Sequence, residues 1–138
     1  NSGLSPGDIG VIAGYRGQVG EINQQLRQLD IASANRVTVN TVDAFQGSER
    51  EAIIVSLVRS NTNASSGFLT MPDEGPRRLN VALTRGRKRL VVIGNWNTLG
   101  ERAAHRAPDE SCAELYAELE AQIRGLGKML DTEAKHAQ

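Results

Sequence analysis

Short, solidly apolar runs alternate with amphipathic stretches along this chain. Residues 9–13, Ile-Gly-Val-Ile-Ala, follow the turn signals Ser5-Pro6-Gly7-Asp8 and predict a strand buried on both faces. Residues 15–29 carry Val19, Ile22, Leu26 and Leu29 at steps of three and four, which predicts one apolar stripe on a helix. Gly17 and Gly20 weaken its first turns. Residues 36–42 are β-branched and alternating, and residues 52–58, Ala-Ile-Ile-Val-Ser-Leu-Val, are continuously apolar apart from one serine; both predict strands. A stretch rich in Ser, Asn, Thr, Gly and Pro over 59–76 predicts a long surface loop. Residues 77–85 predict a short helix with Leu79, Ala82 and Leu83 inward, and 89–94 another buried strand. A further helix is predicted over 98–106. Pro108-Asp109-Glu110-Ser111 then predicts a helix start, with Ser111 and Glu114 as a capping box. Cys112, Leu115, Leu119, Ile123, Leu126 and Leu130 continue at helical spacing, and Gly125 and Gly127 bend or end that helix.

Strands that are apolar throughout and alternate with helices predict an α/β domain with a mostly parallel sheet covered on both faces. In such sheets ligands gather at the C-terminal ends of the strands, so the residues flanking each strand are the ones to inspect.

Composition narrows the chemistry. The 138 residues fit one domain. The single cysteine, Cys112, excludes an internal disulfide and a cysteine-based zinc site, and the two histidines, His105 and His136, are too isolated for a metal centre. No apolar run approaches a membrane span and no signal-peptide core opens the chain, so no membrane partner and an intracellular setting, cytoplasm or nucleus, are expected. Net charge is zero, but its distribution is uneven: residues 59–100 hold seven basic and two acidic side chains, net +5, whereas the flanking segments are acidic. Six of those seven are arginine, the residue suited to forked recognition of phosphate or carboxylate. A solvated basic face is the other reading.

The polar groups beside the strands suit a nucleotide. Gly47 permits a tight turn flanked by Gln46 and Glu49. Glu49 can accept hydrogen bonds from ribose hydroxyls. Arg85 can make a two-pronged contact with phosphate, or serve as a partner of its helix dipole. There is no Gly-x-x-x-x-Gly-Lys-[Ser/Thr] loop, no Gly-x-Gly-x-x-Gly, no Gly-x-Ser-x-Gly and no His-Glu-x-x-His. What remains is half a nucleotide site.

Three blocks resemble the second RecA-like domain of superfamily 1 helicases, in the Upf1-like (superfamily 1B) branch. They are Asp8–Val19 (DIGVIAGYRGQV); Asn40–Asn61, which contains VDAFQGSE and resembles motif V; and Gly67–Asn95, which contains RRLNVALTR and resembles motif VI. The resemblance implies a RecA-like sheet sandwiched by helices that lacks its own phosphate loop. It implies ATP with Mg2+ held mainly by an absent first motor domain, the partner lobe of the same protein. Arg85 aligns with the arginine finger. Gln46, Gly47 and Glu49 align with the motif V turn at the nucleotide, and Arg87 is a neighbour that either reaches phosphate or pairs with a surface acid. Thr41 aligns with a hydroxyl that contacts the backbone of single-stranded RNA or DNA on the opposite edge, and Tyr15 and Arg16 lie where they can touch that path or serve only structure. Asp43 and Asn80 are expected to hold the motif loops together, and Phe45 to be core. Ala13-Gly14 stands where the family has Thr-Pro, removing a hydroxyl. Gly86 replaces an alanine, a change expected to be harmless to chemistry. On this reading residues 1–107 are the second lobe, truncated at its N-terminus, and 108–138 a helical extension. The isolated chain would be inactive. The alternative is a non-catalytic nucleic-acid-binding or interaction module with a helicase-like fold.

Overall fold

The computed structural model describes residues 3–29, 31, 33–57, 74–94 and 113–126. Four strands, β1 (Ile9–Ala13), β2 (Thr38–Thr41), β3 (Arg50–Ser56) and β4 (Gly86–Ile93), form one sheet in the order β2-β1-β3-β4. Every pairing is parallel. Among the described residues three α-helices accompany them: α1 (Arg16–Gln28), α2 (Glu74–Leu83) and α3 (Ala113–Gly125). Parallel strands need a crossover each time the chain returns, and those crossovers cover the sheet on both faces. The fold is therefore the expected α/β, RecA-like one.

The sheet's pleat divides its residues. Ile12 of β1 and Ile53 and Val55 of β3 point to one face, where Val42, Phe45, Leu57, Leu79, Ala82 and Tyr116 complete a buried cluster. Val11, Ala13, Ile54 and Ser56 turn to the other face. There α1 lies on β1 and β2, and Gln18 of α1 donates to Ser56 of β3. Tyr116, only 1% exposed, is among the largest wholly buried side chains. The terminal helix α3 thus shares the core of the sheet, with Leu115 and Leu119 packed beside it.

The connection from β2 to β3 carries the motif V residues across the sheet. Because β3 runs parallel to β2, residues 42–49 must return from the C-terminal to the N-terminal edge, across β1. They do so over Gly10. A Cβ there would come within 3.0 Å of the Phe45 ring and 2.7 Å of Ile53 Cδ1. The missing side chain lets the Asp43–Phe45 turn lie flat on the strand, and Phe45 is 1% exposed.

Several expectations need correction. β4 begins at Gly86 rather than 89, and it is not buried. Leu90, Val91 and Ile93 are 41%, 43% and 49% exposed, because β4 is an edge strand of the described sheet and α1 sits over the far side, on β1 and β2. Leu29 of the α1 stripe is likewise half exposed, since the helix ends at Gln28. α2 starts at Glu74, inside the expected loop. β3 starts two residues before the expected run. The expected helix over 98–106, the Ser111 end of the capping box, Trp96 and most of the 59–76 loop lie outside the described residues. No helix among the described residues is long and apolar enough to cross a membrane.

Candidate functional site

The motif turn after β2 has a defined geometry. Gln46 sits at φ −59°, ψ 123°, Gly47 follows at φ +83°, and the Ser48 N–H donates to the Phe45 carbonyl at 2.9 Å. This is a type II turn, whose third residue requires a positive φ and therefore favours glycine. The turn delivers Glu49 to the start of β3. There the Arg50 N–H donates to the Arg85 carbonyl at 3.0 Å, which clamps the end of motif V to the end of motif VI. Arg50 also lies over the Phe45 ring, 5.8 Å from its centroid.

Arg85 closes α2. Its Nε donates to the Val81 carbonyl at 3.2 Å and its Nη2 to Thr84 Oγ1 at 3.1 Å. The Thr84 hydroxyl in turn donates to the Asn80 and Val81 carbonyls. A guanidinium on the last carbonyls of a helix is favourably placed against the helix dipole. In this conformation Arg85 therefore adopts the dipole-partner arrangement.

Arg87 does not stand free either. Its Nε donates to Glu49 Oε2 at 2.9 Å and its Nη1 lies 3.6 Å from Glu51 Oε1, while Lys88 Nζ is 2.7 Å from Glu51 Oε2. The hydrogen bond and charge of Glu49 raise the Arg87 pKa further above its usual value. The hydrogen bond from Lys88 holds the Glu51 carboxyl below the ordinary range, and Glu51 raises Lys88 in return. Nearby, the Ser5 backbone and hydroxyl donate to Asp8 and lower its pKa, forming a capping box on the turn before β1.

Glu49, Arg85 and Arg87 thus meet at the N-terminal edge of the sheet, with Gln46 and Gly47 on the turn leading to it. The rule that sheet ligands gather at C-terminal strand ends misplaces this group. Arg85 precedes β4, and the crossover carries Glu49 the full length of the sheet away from the end of β2.

The other edge holds the remaining candidates. Thr41 ends β2 and pairs in register with Ala13, the last residue of β1. Two residues on, Tyr15 is the extended N-cap of α1, and Arg16 is the helix's exposed first residue. These three therefore neighbour one another through the β1–β2 register, at the level of Ser56 on β3 and so about seven residues along the strands from Glu49. Beside them lies a pair the patterning did not pick out: buried Gln18 donates through Nε2 to buried Ser56 Oγ at 2.6 Å. The lone serine in the apolar run 52–58 was the available signal. Asp43 bridges to Arg78 of α2 at 3.4 Å, tying motif V to motif VI. Among the described residues no three metal-ligating side chains come together.

Residues 1–97 match the protein family described as AAA domain. The Regulator of nonsense transcripts 1 homolog of Neurospora crassa is 47% identical over 97 residues, 68% of this chain and 8% of that protein. The DNA replication ATP-dependent helicase/nuclease DNA2 of Mus musculus is 45% identical over 98 residues, 71% of this chain and 9% of that protein. The DNA polymerase alpha-associated DNA helicase A of Saccharomyces cerevisiae is 45% identical over 91 residues, 66% of this chain and 12% of that protein. The chain thus spans about a tenth of the length of these curated relatives. Matched over more than half its residues, the chain belongs to the AAA domain family and, within it, to the Upf1-like branch of the superfamily 1 helicases.

Proposed function

We propose that this chain is the second motor lobe of an ATP-dependent helicase or translocase that moves on single-stranded RNA or DNA, with residues 1–107 as the lobe and 108–138 as its helical extension. The observation that carries this reading is the juxtaposition of Glu49 and Arg85 at one edge of the sheet through the Arg50–Arg85 backbone bond. A carboxylate that can accept from sugar hydroxyls and a guanidinium that can meet phosphate lie just ahead of two neighbouring strands, where a first lobe can close on them. The sequence carries no Gly-x-x-x-x-Gly-Lys-[Ser/Thr] phosphate loop, so this edge suits half a site: the first lobe would hold the triphosphate and Mg2+, and this lobe would add charge when the cleft shuts. Arg85 would then leave Val81 and Thr84 to stabilise the transferring phosphoryl group. Gln46 and Gly47 would shape the turn that links this edge to the strand track. On the opposite edge Thr41, Tyr15 and Arg16 would contact the nucleic-acid backbone, which is sequence-independent and salt-sensitive binding.

The test uses the protein that joins both lobes. Arg85→Ala is expected to lower ATP turnover by about 10³-fold or more while single-strand affinity stays close to wild type. Thr41→Val should do the reverse, weakening strand binding on every sequence. A second reading, a non-catalytic module of the same fold, draws support from the bonds that hold the Arg85 guanidinium on its own helix. Undiminished turnover in Arg85→Ala would favour it.

A further inference from the structure

The pairing of β3 with β4 contains one irregularity. Arg50 pairs with Gly86 and Ala52 with Arg89, so three steps along β4 match two along β3. The extra residue is a β-bulge at Arg87 and Lys88, opposite Glu51. In a regular strand these two consecutive side chains would point to opposite faces. The bulge re-aims them: both reach Glu51, at 3.6 and 2.7 Å, and Arg87 also reaches Glu49 at 2.9 Å. Gly86 accommodates this shape, since a Cβ there would stand 2.7 Å from the Arg89 carbonyl oxygen. The alanine-to-glycine change thus has a backbone role.

The division of partners is informative. Lys88 takes one oxygen of Glu51, and Arg87 approaches the other at a longer distance than it keeps to Glu49. The shortest contact of Arg87 is therefore with the carboxylate that the motor reading assigns to the nucleotide sugar. Glu49 precedes β3 and lies in no strand, so its backbone alone does not fix the direction of its side chain. A guanidinium on one oxygen leaves the other oxygen of the carboxylate able to accept from a hydroxyl.

We propose that Arg87 is a positioning residue for nucleotide recognition: the β4 bulge aims it at Glu49, and it orients that carboxylate toward the sugar hydroxyls of the nucleotide rather than touching phosphate itself. This role rests on the motor reading of the chain.

The test measures ATPase kinetics of the protein carrying both lobes, with ATP and with 2′,3′-dideoxy-ATP, for Arg87→Ala, Arg87→Lys, Glu49→Gln and Arg85→Ala. Arg87→Ala is expected to raise KM for ATP by about twofold to fivefold with kcat nearly unchanged, the size suited to an exposed ion pair. Its KM for the dideoxy nucleotide should equal the wild-type value, because no hydroxyl is there to be read. Arg87→Lys, which keeps the charge, should recover part of the loss. Glu49→Gln should show the same dependence on the sugar. A fall in kcat with both nucleotides would overturn the proposal in favour of a phosphate contact, and unchanged kinetics with both would reduce the pair to an inert surface bridge. If Arg85→Ala and Glu49→Gln both turn over ATP normally, the motor reading itself fails. If both are impaired while Arg87→Ala behaves in either of those two contrary ways, only the role of Arg87 fails.

Discussion

The two edges of the sheet are built on different physics. At the N-terminal edge, the exposed Glu49, Arg87 and Lys88 join the partly buried Glu51 in a network of ion pairs between β3 and β4. At the C-terminal edge the polar groups are uncharged and partly buried: the Thr41 hydroxyl, and the Gln18–Ser56 bond at 2.6 Å beneath α1. Exposed ion pairs are individually weak, exchange partners readily and are screened by salt. Buried neutral hydrogen bonds contribute modestly when made and are costly to leave unmade. Under the proposed function, an edge that releases its side chains to a nucleotide would suit the first kind, and one that keeps a fixed surface for a passing strand the second. The crossover through Phe45 links them, as it spans the sheet from one edge to the other.

That comparison breaks most severely at the link. Phe45→Ala should destabilise the protein by about 3–5 kcal/mol, read as a lower urea midpoint, because it removes a wholly buried ring from over Gly10. Both edges should fail together, with loss of nucleotide and strand binding in one step. Ser56→Ala tests the C-terminal edge alone. It strips the buried Gln18 amide of its acceptor and should cost about 1–3 kcal/mol in the same measurement, independent of salt. Adding Gln18→Leu should recover part of that loss, since removing both partners leaves no orphaned polar group.

The smallest effect belongs to the N-terminal edge and depends on pH. Lys88 depresses the Glu51 pKa in the folded protein. A depressed carboxylate contributes stability above its ordinary value and loses it as pH falls through the folded value. The melting temperature of Glu51→Gln should therefore lie slightly below wild type at neutral pH, with the gap closing below about pH 4. Added salt should also narrow it. A gap that persists in acid or in salt would place Glu51 with the buried kind of contact and dissolve the distinction between the edges.

Legibility in the sequence followed burial. β1 and β3 read as solid apolar runs because both faces of the sheet cover them. The same runs made β4 look buried as well, since composition cannot tell a central strand from an edge strand with uncovered faces. Gly47 was legible because a type II turn imposes a local requirement on one residue. Gly86 was not, as its role arises from a bulge defined only by pairing with another strand. Of the candidate site residues, Glu49 and Arg85 were found by their motifs. Their meeting at the N-terminal edge was hidden, because the direction of the crossover depends on strand order.

From residue order alone came the alternation of strands and helices, the parallel sheet, the tight turn at Gly47 and the motif strings that mark the family. These arise from periodicity and local backbone preference, which act over a few residues. Only the tertiary structure decided that Glu49, Arg85 and Arg87 lie at the N-terminal strand ends and Thr41, Tyr15 and Arg16 at the C-terminal ones. It also decided that a bulge aims Arg87 at Glu49 and that Tyr116 of the terminal helix completes the core. Those outcomes depend on which strands become neighbours and in what register, and contacts between residues dozens of positions apart leave no local pattern to read.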